Sequence, residues 1–263
     1  MSLFRSIENI KLFTLELEFD KASFYLFQKY KDNVKVNAFQ NSFILGDIET
    51  VKAAKSYSEF NITFEIPFFL SISDTRAILQ ELELISANDV TLSYFLTSEN
   101  IAQFREVIDF AVKFGIKKVV IPNPDIVGFS SIIANSFLTH RDLQKIAFVK
   151  DYRDKLHLQV HDYFLAKYLG LKDAELFKGC QAGTLMGYVL KGIVYPCKSI
   201  PLPFGSLFEE DFATIWKRGD DVMKKYDFAK LCKSCAEKDA CKLGCPGTAF
   251  FLNNGEKDPL CEK

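Results

Sequence analysis

Cysteine is absent from the first 179 residues of this 263-residue chain, and histidine occurs only three times. The chain also lacks blocks of one charge. Its formal net charge is −1, so we expect neither a nucleic-acid partner nor binding to an anionic membrane. No apolar run approaches the roughly 18 residues that a membrane-spanning helix needs. There is no Ser/His/Asp arrangement and no glycine-rich phosphate loop, so the common hydrolase and nucleotide-binding signatures are missing.

The start of the chain shows no secretory leader, because residues 1–11 carry Arg5, Glu8 and Lys11 and contain no apolar stretch. We therefore expect a cytoplasmic protein. Hydrophobic residues make up 48% of the sequence, which is enough to bury a core without support from disulfides.

Thiols are concentrated in the last third of the chain, where chance would not gather all of them. The seven cysteines are Cys180, Cys197, Cys232, Cys235, Cys241, Cys245 and Cys261. The gaps between the last five are two, five, three and fifteen residues. This segregation indicates that the C-terminal third is built around soft-metal chemistry.

Three uses of these thiols can be compared. Disulfides are disfavoured because the number of cysteines is odd and no leader is expected. Structural zinc usually takes two Cys-x(2–4)-Cys pairs about a dozen or more residues apart, whereas here the Cys241–Cys245 pair begins only five residues after Cys235. Iron–sulfur clusters use cysteine thiolates, four for a fully ligated cubane, and seven thiols fit one complete and one incomplete site. Iron–sulfur binding is therefore favoured over zinc.

The order Cys-x11-Gly-x4-Cys, then Cys-x2-Cys-x5-Cys-x3-Cys, then a last cysteine resembles the seven-cysteine SPASM domain. That domain is the auxiliary-cluster module at the C-terminus of many radical SAM peptide-modifying enzymes. Gly192 occupies the glycine position of the pattern, and CQAGTLMGYVLKGIVYPC is similar to the family's first hairpin. The segment GSLFEEDFATIWKRG is similar to its connecting helix, and the resemblance covers about residues 180–263.

The resemblance implies two [4Fe–4S] clusters and their ligands. It assigns one cluster to Cys232, Cys235, Cys241 and Cys261. It assigns the other to Cys180, Cys197 and Cys245. Relatives with a complete first site have one more cysteine shortly before the motif, but LKDAELFKG has none. That site is therefore open at one iron or takes a non-thiol ligand, for which Glu175 and Asp173 are candidates.

Hydrophobic periodicity in the first part of the chain predicts alternating strands and helices. The predicted strands are Ile10–Phe19, Val34–Leu45, Ile62–Leu70, Val90–Leu96, Lys117–Pro122 and Leu156–Val160. Three helices are predicted, one after each of Asp47, Asp74 and Ser98, and a fourth is predicted over Arg141–Tyr152. Strand starts near 34, 62, 90 and 116 recur every 26–28 residues, which indicates βαβ units and a parallel sheet.

The predicted fold is α/β, with six parallel strands. The resemblance implies a degenerate radical SAM-type partial (β/α)6 barrel over residues 1–175, followed by a SPASM domain over residues 176–263.

The motif that defines radical SAM chemistry is missing. The family carries Cys-x3-Cys-x2-Cys after the first strand, but Leu15–Tyr30 reads LELEFDKASFYLFQKY. We therefore expect no S-adenosylmethionine cofactor. A SPASM domain on such a barrel resembles the maturases of grasp-with-spasm systems, which implies an ATP-grasp ligase and a precursor peptide as partners. Two functions stay open, a peptide maturase and a non-catalytic adaptor or electron-transfer protein, and no catalytic residue is assigned.

Other polar residues carry weaker signals. His157 and His161 flank a strand at a spacing that predicts a common face, where hydrogen bonding is favoured over a metal site. Asp125 follows a predicted strand, on the edge where parallel α/β proteins bind ligands. Trp216 is expected to pack.

Overall fold

The computed structural model describes residues 14–18, 36–41, 61–66, 71–84, 90–128, 137–171, 180–225, 232, 235–236, 238–241, 244–252 and 257–262. Within these residues the chain forms one nine-stranded sheet with the order β6-β5-β4-β3-β2-β1-β7-β8-β9. The first six strands are β1 Thr14–Glu18, β2 Val36–Asn41, β3 Asn61–Ile66, β4 Val90–Tyr94, β5 Lys118–Ile121 and β6 His157–Val160. Each of these six strands pairs in parallel with the next, so the predicted six-stranded parallel sheet is confirmed.

The sheet continues into the cysteine-rich part of the chain. Strand β7, Met186–Leu190, pairs in parallel with β1, and β8, Ile193–Tyr195, returns antiparallel to β7. The turn between them holds Lys191 at φ 50° and Gly192 at φ 78°, the left-handed pair that a two-residue hairpin requires. Strand β9, Gly205–Ser206, completes this edge. The glycine of the motif is thus the turn of the predicted hairpin.

Helices cover the sheet between the strands. The α-helices are Ile72–Leu84, Phe104–Lys113, Tyr163–Leu169, Phe212–Lys224 and Lys238–Cys241. Two 3₁₀ helices span Ile101–Gln103 and His140–Tyr152, and a π-helix spans Thr248–Leu252. The helix predicted to stop at Gly115 ends at Lys113, two residues before that glycine, which has φ 71°.

Two helix predictions need correction. Asp74 does not open its helix, because the helix begins at Ile72 and the Ser71 hydroxyl accepts the Asp74 N–H at 3.2 Å. Asp74 is therefore in the first turn, where its carboxylate faces the positive end of the helix dipole. The segment predicted as Arg141–Tyr152 begins one residue earlier, at His140, and is a 3₁₀ helix. A capping box between Thr139 and Asp142 caps its N-terminus.

The main core lies between the sheet and its helices. Val119, Val120 and Ile121 are all buried, so β5 is covered on both faces as its unbroken apolar run predicts. Ile101, Phe104, Val107, Ile108 and Ala111 lie buried against the strands at helical spacing. Trp216 stacks on Phe212 with ring centroids 5.5 Å apart, which confirms its packing role.

Several predictions fall outside the described residues. They are the helix after Asp47, the connection between β1 and β2, the boundary near residue 175, and the candidate ligands Asp173 and Glu175. The division of the chain at residues 175 and 176 therefore stays a prediction.

Candidate metal centre

Four thiols line one cavity of about 210 Å³ near the end of the chain. They are Cys232, Cys235, Cys241 and Cys261, the four that the resemblance assigns to one cluster. Asp258 and Lys257 also line the cavity, and Phe164 and Leu260 supply part of its apolar wall.

Short backbone turns bring these thiols together. The N–H of Cys235 donates to the carbonyl of Cys232 at 3.1 Å, so the two-residue gap closes a turn. The N–H of Lys238 then donates to the carbonyl of Cys235 at 3.4 Å and leads into the helix that ends at Cys241. Cys261 enters from another segment, and its N–H donates to the carbonyl of Asp258 at 2.9 Å.

The thiols influence one another electrostatically. The pKa of the Cys232 thiol is raised, first by burial and then by the negative charges of Cys241, Cys235, Cys261 and Asp258. Four deprotonated thiols around one cavity repel each other unless cationic iron lies between them. The donor set therefore fits an iron–sulfur cluster, whose binding would release the thiol protons.

The other three cysteines lie beyond this cavity. Cys245 is buried, and burial raises the pKa of its thiol to about 12, with the charges of Asp258 and Cys180 adding to the shift. Cys180 is exposed as a residue, yet the surrounding protein also raises the pKa of its thiol. Cys197 is buried in an apolar cluster with Ala182, against which Phe251 packs. The segments that carry the three cysteines thus converge, and the Cys180 and Cys245 thiols are close enough to interact electrostatically.

A ready-made site for one metal ion does not exist among the described residues, where no group of three or more His, Cys, Asp or Glu side chains could hold an ion. Zinc needs four ligands at about 2.0–2.3 Å from one centre. A cubane binds each thiolate at a different iron, so its ligands stand farther apart.

The loop after β5 is fastened to the segment that follows Cys197. The N–H groups of Ile126 and Val127 both donate to the carbonyl of Lys198 at 3.0 Å, and the Ser199 hydroxyl donates to the carbonyl of Pro124 at 2.6 Å. Asp125 accepts the N–H of Gly128 at 2.8 Å and so holds this loop. Its predicted ligand contact stays a prediction.

His157 and His161 lie in different surroundings. His157 is exposed, whereas burial lowers the pKa of His161 to about 4, with the positive charges of Lys198 and Lys118 contributing. A nitrogen of His161 lies 3.2 Å from the amide of Gln159. His161 thus takes part in hydrogen bonding, as the sequence favours.

A smaller cavity of about 40 Å³ lies at the carboxyl ends of β4, β5 and β6. Its wall includes Phe95 and Leu96 after β4, Asn123 after β5, and Asp162 after β6. Thr248 and Asp258 close it from the cysteine-rich side.

Asp162, Asp258 and Lys198 were not singled out from the sequence. Asp258 stands three residues before Cys261, and Lys198 directly follows Cys197. Proximity to a predicted ligand is the signal that could have found both.

The sequence matches no family model. The AdoMet-dependent heme synthase of Methanosarcina barkeri (strain Fusaro / DSM 804) is 32% identical over 90 residues. That match covers 32% of this chain and 26% of the heme synthase, so it spans about a quarter of the relative's length.

Solved structures resemble the chain over almost its whole length. SuiB from Streptococcus suis, bound to its precursor peptide SuiA, matches with a TM-score of 0.59 at 16% identity, covering 97% of this chain and 76% of SuiB. AnSMEcpe with bound AdoMet matches with a TM-score of 0.58 at 14% identity, covering 97% of this chain and 81% of anSMEcpe. The chain is therefore similar in fold to SuiB and anSMEcpe, and the α/β fold with a parallel sheet that the resemblance implies is confirmed.

Two further findings concern membranes and cofactors. In the part of the chain that the structure describes, no helix has the length and apolar character needed to cross a membrane. SuiB and anSMEcpe have both been solved with S-adenosylmethionine bound. The present chain has no cysteine before residue 180. That it binds no S-adenosylmethionine stays a prediction.

Proposed function

We propose that this chain binds a ribosomally synthesised precursor peptide, carries two [4Fe–4S] clusters, and acts with an ATP-grasp ligase in modifying that peptide. The observation that carries the proposal is the set of four thiols around one cavity, in a fold shared with SuiB bound to its precursor peptide.

Two groups of cysteines would hold the clusters. Cys232, Cys235, Cys241 and Cys261 form the four-thiol set. Cys180, Cys197 and Cys245 form the three-thiol set. Clusters bound there would supply electron transfer and would fix the backbone of the C-terminal segment.

The peptide would bind at the carboxyl edge of the parallel sheet. Ligands of open parallel sheets bind outside the carboxyl ends of the strands. Here Phe95 and Leu96, which follow β4, line a small cavity together with Leu138, beside the cysteine-rich segment. AnSMEcpe, like SuiB, has been solved with a peptide bound, which supports a peptide as the substrate class.

A second function is favoured by one observation, the absence of cysteine from the first 179 residues. Without those thiols the chain would present the peptide to the ligase as a non-catalytic adaptor, and its clusters would serve structure or electron transfer. We place both functions on the same surface and distinguish them by the reaction.

The test uses anaerobically purified protein with its clusters and a short peptide encoded beside its gene, carrying a fluorescent label. We expect the peptide to bind, and its mass to change when the neighbouring ATP-grasp ligase and ATP are added. The Cys232→Ser variant should bind the peptide more weakly, whereas Lys224→Ala, at a 74% exposed side chain, should match the wild type.

Each outcome has a meaning. A mass change with this protein alone supports a maturase, and a change that needs the ligase but is accelerated by this protein supports an adaptor. Ligase activity and peptide binding that are indifferent to this protein would contradict both.

Metal analysis should give about eight iron atoms per chain for two cubanes. Stoichiometric zinc without acid-labile sulfide would contradict the cluster assignment.

A further inference from the structure

Asp258 contacts the backbone of a cysteine from each thiol set. Its Oδ2 accepts the N–H of Cys245, in the three-thiol set, at 3.1 Å. Its carbonyl oxygen accepts the N–H of Cys261, in the four-thiol set, at 2.9 Å. Its Oδ1 accepts the N–H of Leu260 at 2.9 Å, which fixes the short turn leading to Cys261. Asp258 is only 3% exposed, so these contacts are shielded from water.

The same side chain is anchored to the sheet through Asp162. That residue follows β6 and caps the helix Tyr163–Leu169, because its Oδ1 accepts the N–H of Leu165 at 2.9 Å. The carboxyl groups of Asp162 and Asp258 are hydrogen-bonded to each other, and burial raises the pKa of both. Two carboxyl groups can share a hydrogen bond only when one carries a proton.

The backbone next to Cys245 packs closely against Asp258. Gly244, next to Cys245, has φ 63°, and a Cβ atom there would lie 3.0 Å from Oδ2 of Asp258 and 2.7 Å from the ring of Phe164. Asp258 also lines both the thiol cavity and the small cavity at the strand ends. It therefore forms part of the wall between the two spaces.

We infer that Asp258 is a positioning residue for both clusters. It fixes the position of each cluster relative to the other and to the carboxyl edge of the sheet. The inference rests on the proposed binding of two clusters. A side chain that only packs needs the right size. The Asp258 side chain must in addition accept two N–H groups and make a third hydrogen bond, with Asp162.

Asparagine substitutions separate these roles. In Asp258→Asn, one of the two acceptor oxygens becomes an NH₂ group, which faces the N–H of either Cys245 or Leu260. In Asp162→Asn, the amide oxygen can still cap the helix at Leu165, and the amide nitrogen can still donate to Asp258. The two variants make the same change in size, but only the first replaces an oxygen that accepts a backbone N–H by a group that cannot accept one.

The experiment compares these variants after anaerobic reconstitution with iron and sulfide. Iron per chain, the electron paramagnetic resonance signals of the reduced clusters and the rate of iron release to a ferrous chelator are measured. Replacement of groups that orient metal ligands typically costs 10–100-fold in affinity. We therefore expect Asp258→Asn to release iron at least about tenfold faster from both clusters. Asp162→Asn should behave as the wild type, and Cys180→Ala should alter one signal only.

A second pair of variants covers the case in which Asp258→Asn does not fold. Asp162→Ala removes the anchor of Asp258 and a helix cap, whereas Asp211→Ala removes only a helix cap, at the helix Phe212–Lys224. Both lose about 1 kcal/mol of capping, so faster iron release from both clusters in Asp162→Ala alone supports the inference.

Equal iron release in Asp258→Asn and Asp162→Asn would overturn the inference, as would the disturbance of one cluster alone in Asp258→Asn. If Asp258→Asn does not fold, equal iron release in Asp162→Ala and Asp211→Ala would overturn it. A wild-type protein without iron is a different result, which would contradict the proposed function itself.

Discussion

Gly247 lies so close to Ser199 that a Cβ atom on the glycine would be 2.2 Å from the serine carbonyl oxygen. The contact is with backbone, which cannot move aside as the tip of a flexible side chain can. Gly247 follows Cys245 by two residues, and Ser199 follows Cys197 by two. The contact therefore sets the distance between two segments that carry thiols of the same predicted cluster.

We expect Gly247→Ala to push these two segments apart. Overpacking of this kind typically costs about 1–3 kcal/mol, and it should lower the iron content of the three-thiol site while the four-thiol site keeps its cluster. Iron analysis and the electron paramagnetic resonance signals of the two reduced clusters check this prediction. Gly205→Ala is the control, because its Cβ atom would meet only side-chain atoms, at 3.1 Å or more. Equal iron content in the two variants would contradict the prediction.

The two cluster sites should differ in lability. Cys232 shares its cavity with three further thiols, whereas Cys180 is exposed and belongs to the site without a fourth thiol. We expect Cys232→Ala to lose one whole cluster, about four iron atoms, together with local order that depends on the metal. Cys180→Ala should affect the cluster that is lost more easily in the wild type. Identical iron loss and identical spectra for the two variants would show that the sites are equivalent.

His161 should stay neutral well into the acidic range. Burial and the nearby charges of Lys198 and Lys118 lower its pKa from 6.5 to about 4. The folded protein therefore binds this proton less readily than the unfolded chain does. Its contribution to the free energy of unfolding is fully present above pH 6.5 and is lost as the pH falls toward 4. The loss amounts to at most about 3 kcal/mol, since each pKa unit corresponds to about 1.4 kcal/mol.

Two measurements check the prediction for His161. The ring-proton resonance that is absent from His161→Gln should not titrate above pH 5. The unfolding free energy of His161→Gln should also fall less than that of the wild type between pH 6.5 and pH 5. A His161 resonance that titrates near pH 6.5 would show that the side chain is solvated.

Local periodicity predicted most of the sheet, because a strand buried on both faces, such as β5, must read as a run of apolar residues. The hairpin was predicted by the resemblance of CQAGTLMGYVLKGIVYPC to the family's first hairpin, and its turn at Lys191 and Gly192 has the left-handed backbone that such a turn needs. The 3₁₀ winding of His140–Tyr152 was not predicted, because α and 3₁₀ helices share similar apolar periods and tertiary packing decides between them.

The role of Asp258 was also missed, for a different reason. Its partners Asp162 and Cys245 are distant in sequence, and only the folded chain brings them together. A buried acidic residue can be explained only when the groups that bond to it are known, and no periodic pattern supplies them. The prediction of two cysteine sets rests instead on the resemblance of the cysteine spacing to the SPASM pattern, which is visible in the sequence.

We expect no 5′-deoxyadenosine when the protein with its clusters is incubated with S-adenosylmethionine and a strong reductant. Cleavage of that compound needs an iron held by three thiolates that leave its fourth position open to the amino and carboxylate groups of the methionine part. The family places these thiolates after the first strand. In this chain the residues between β1 and β2 include no cysteine, and the first thiol is Cys180.

The three-thiol site gives this prediction a demanding control, because an iron position left open there would be able to bind S-adenosylmethionine. Wild type and Cys180→Ala should both give product at the level of a sample without enzyme. Product above that level in the wild type but not in Cys180→Ala would show that the three-thiol site performs the cleavage. Product that persists in both variants would instead point to a cluster not formed by these cysteines, and either result would contradict the adaptor function and favour a radical peptide maturase.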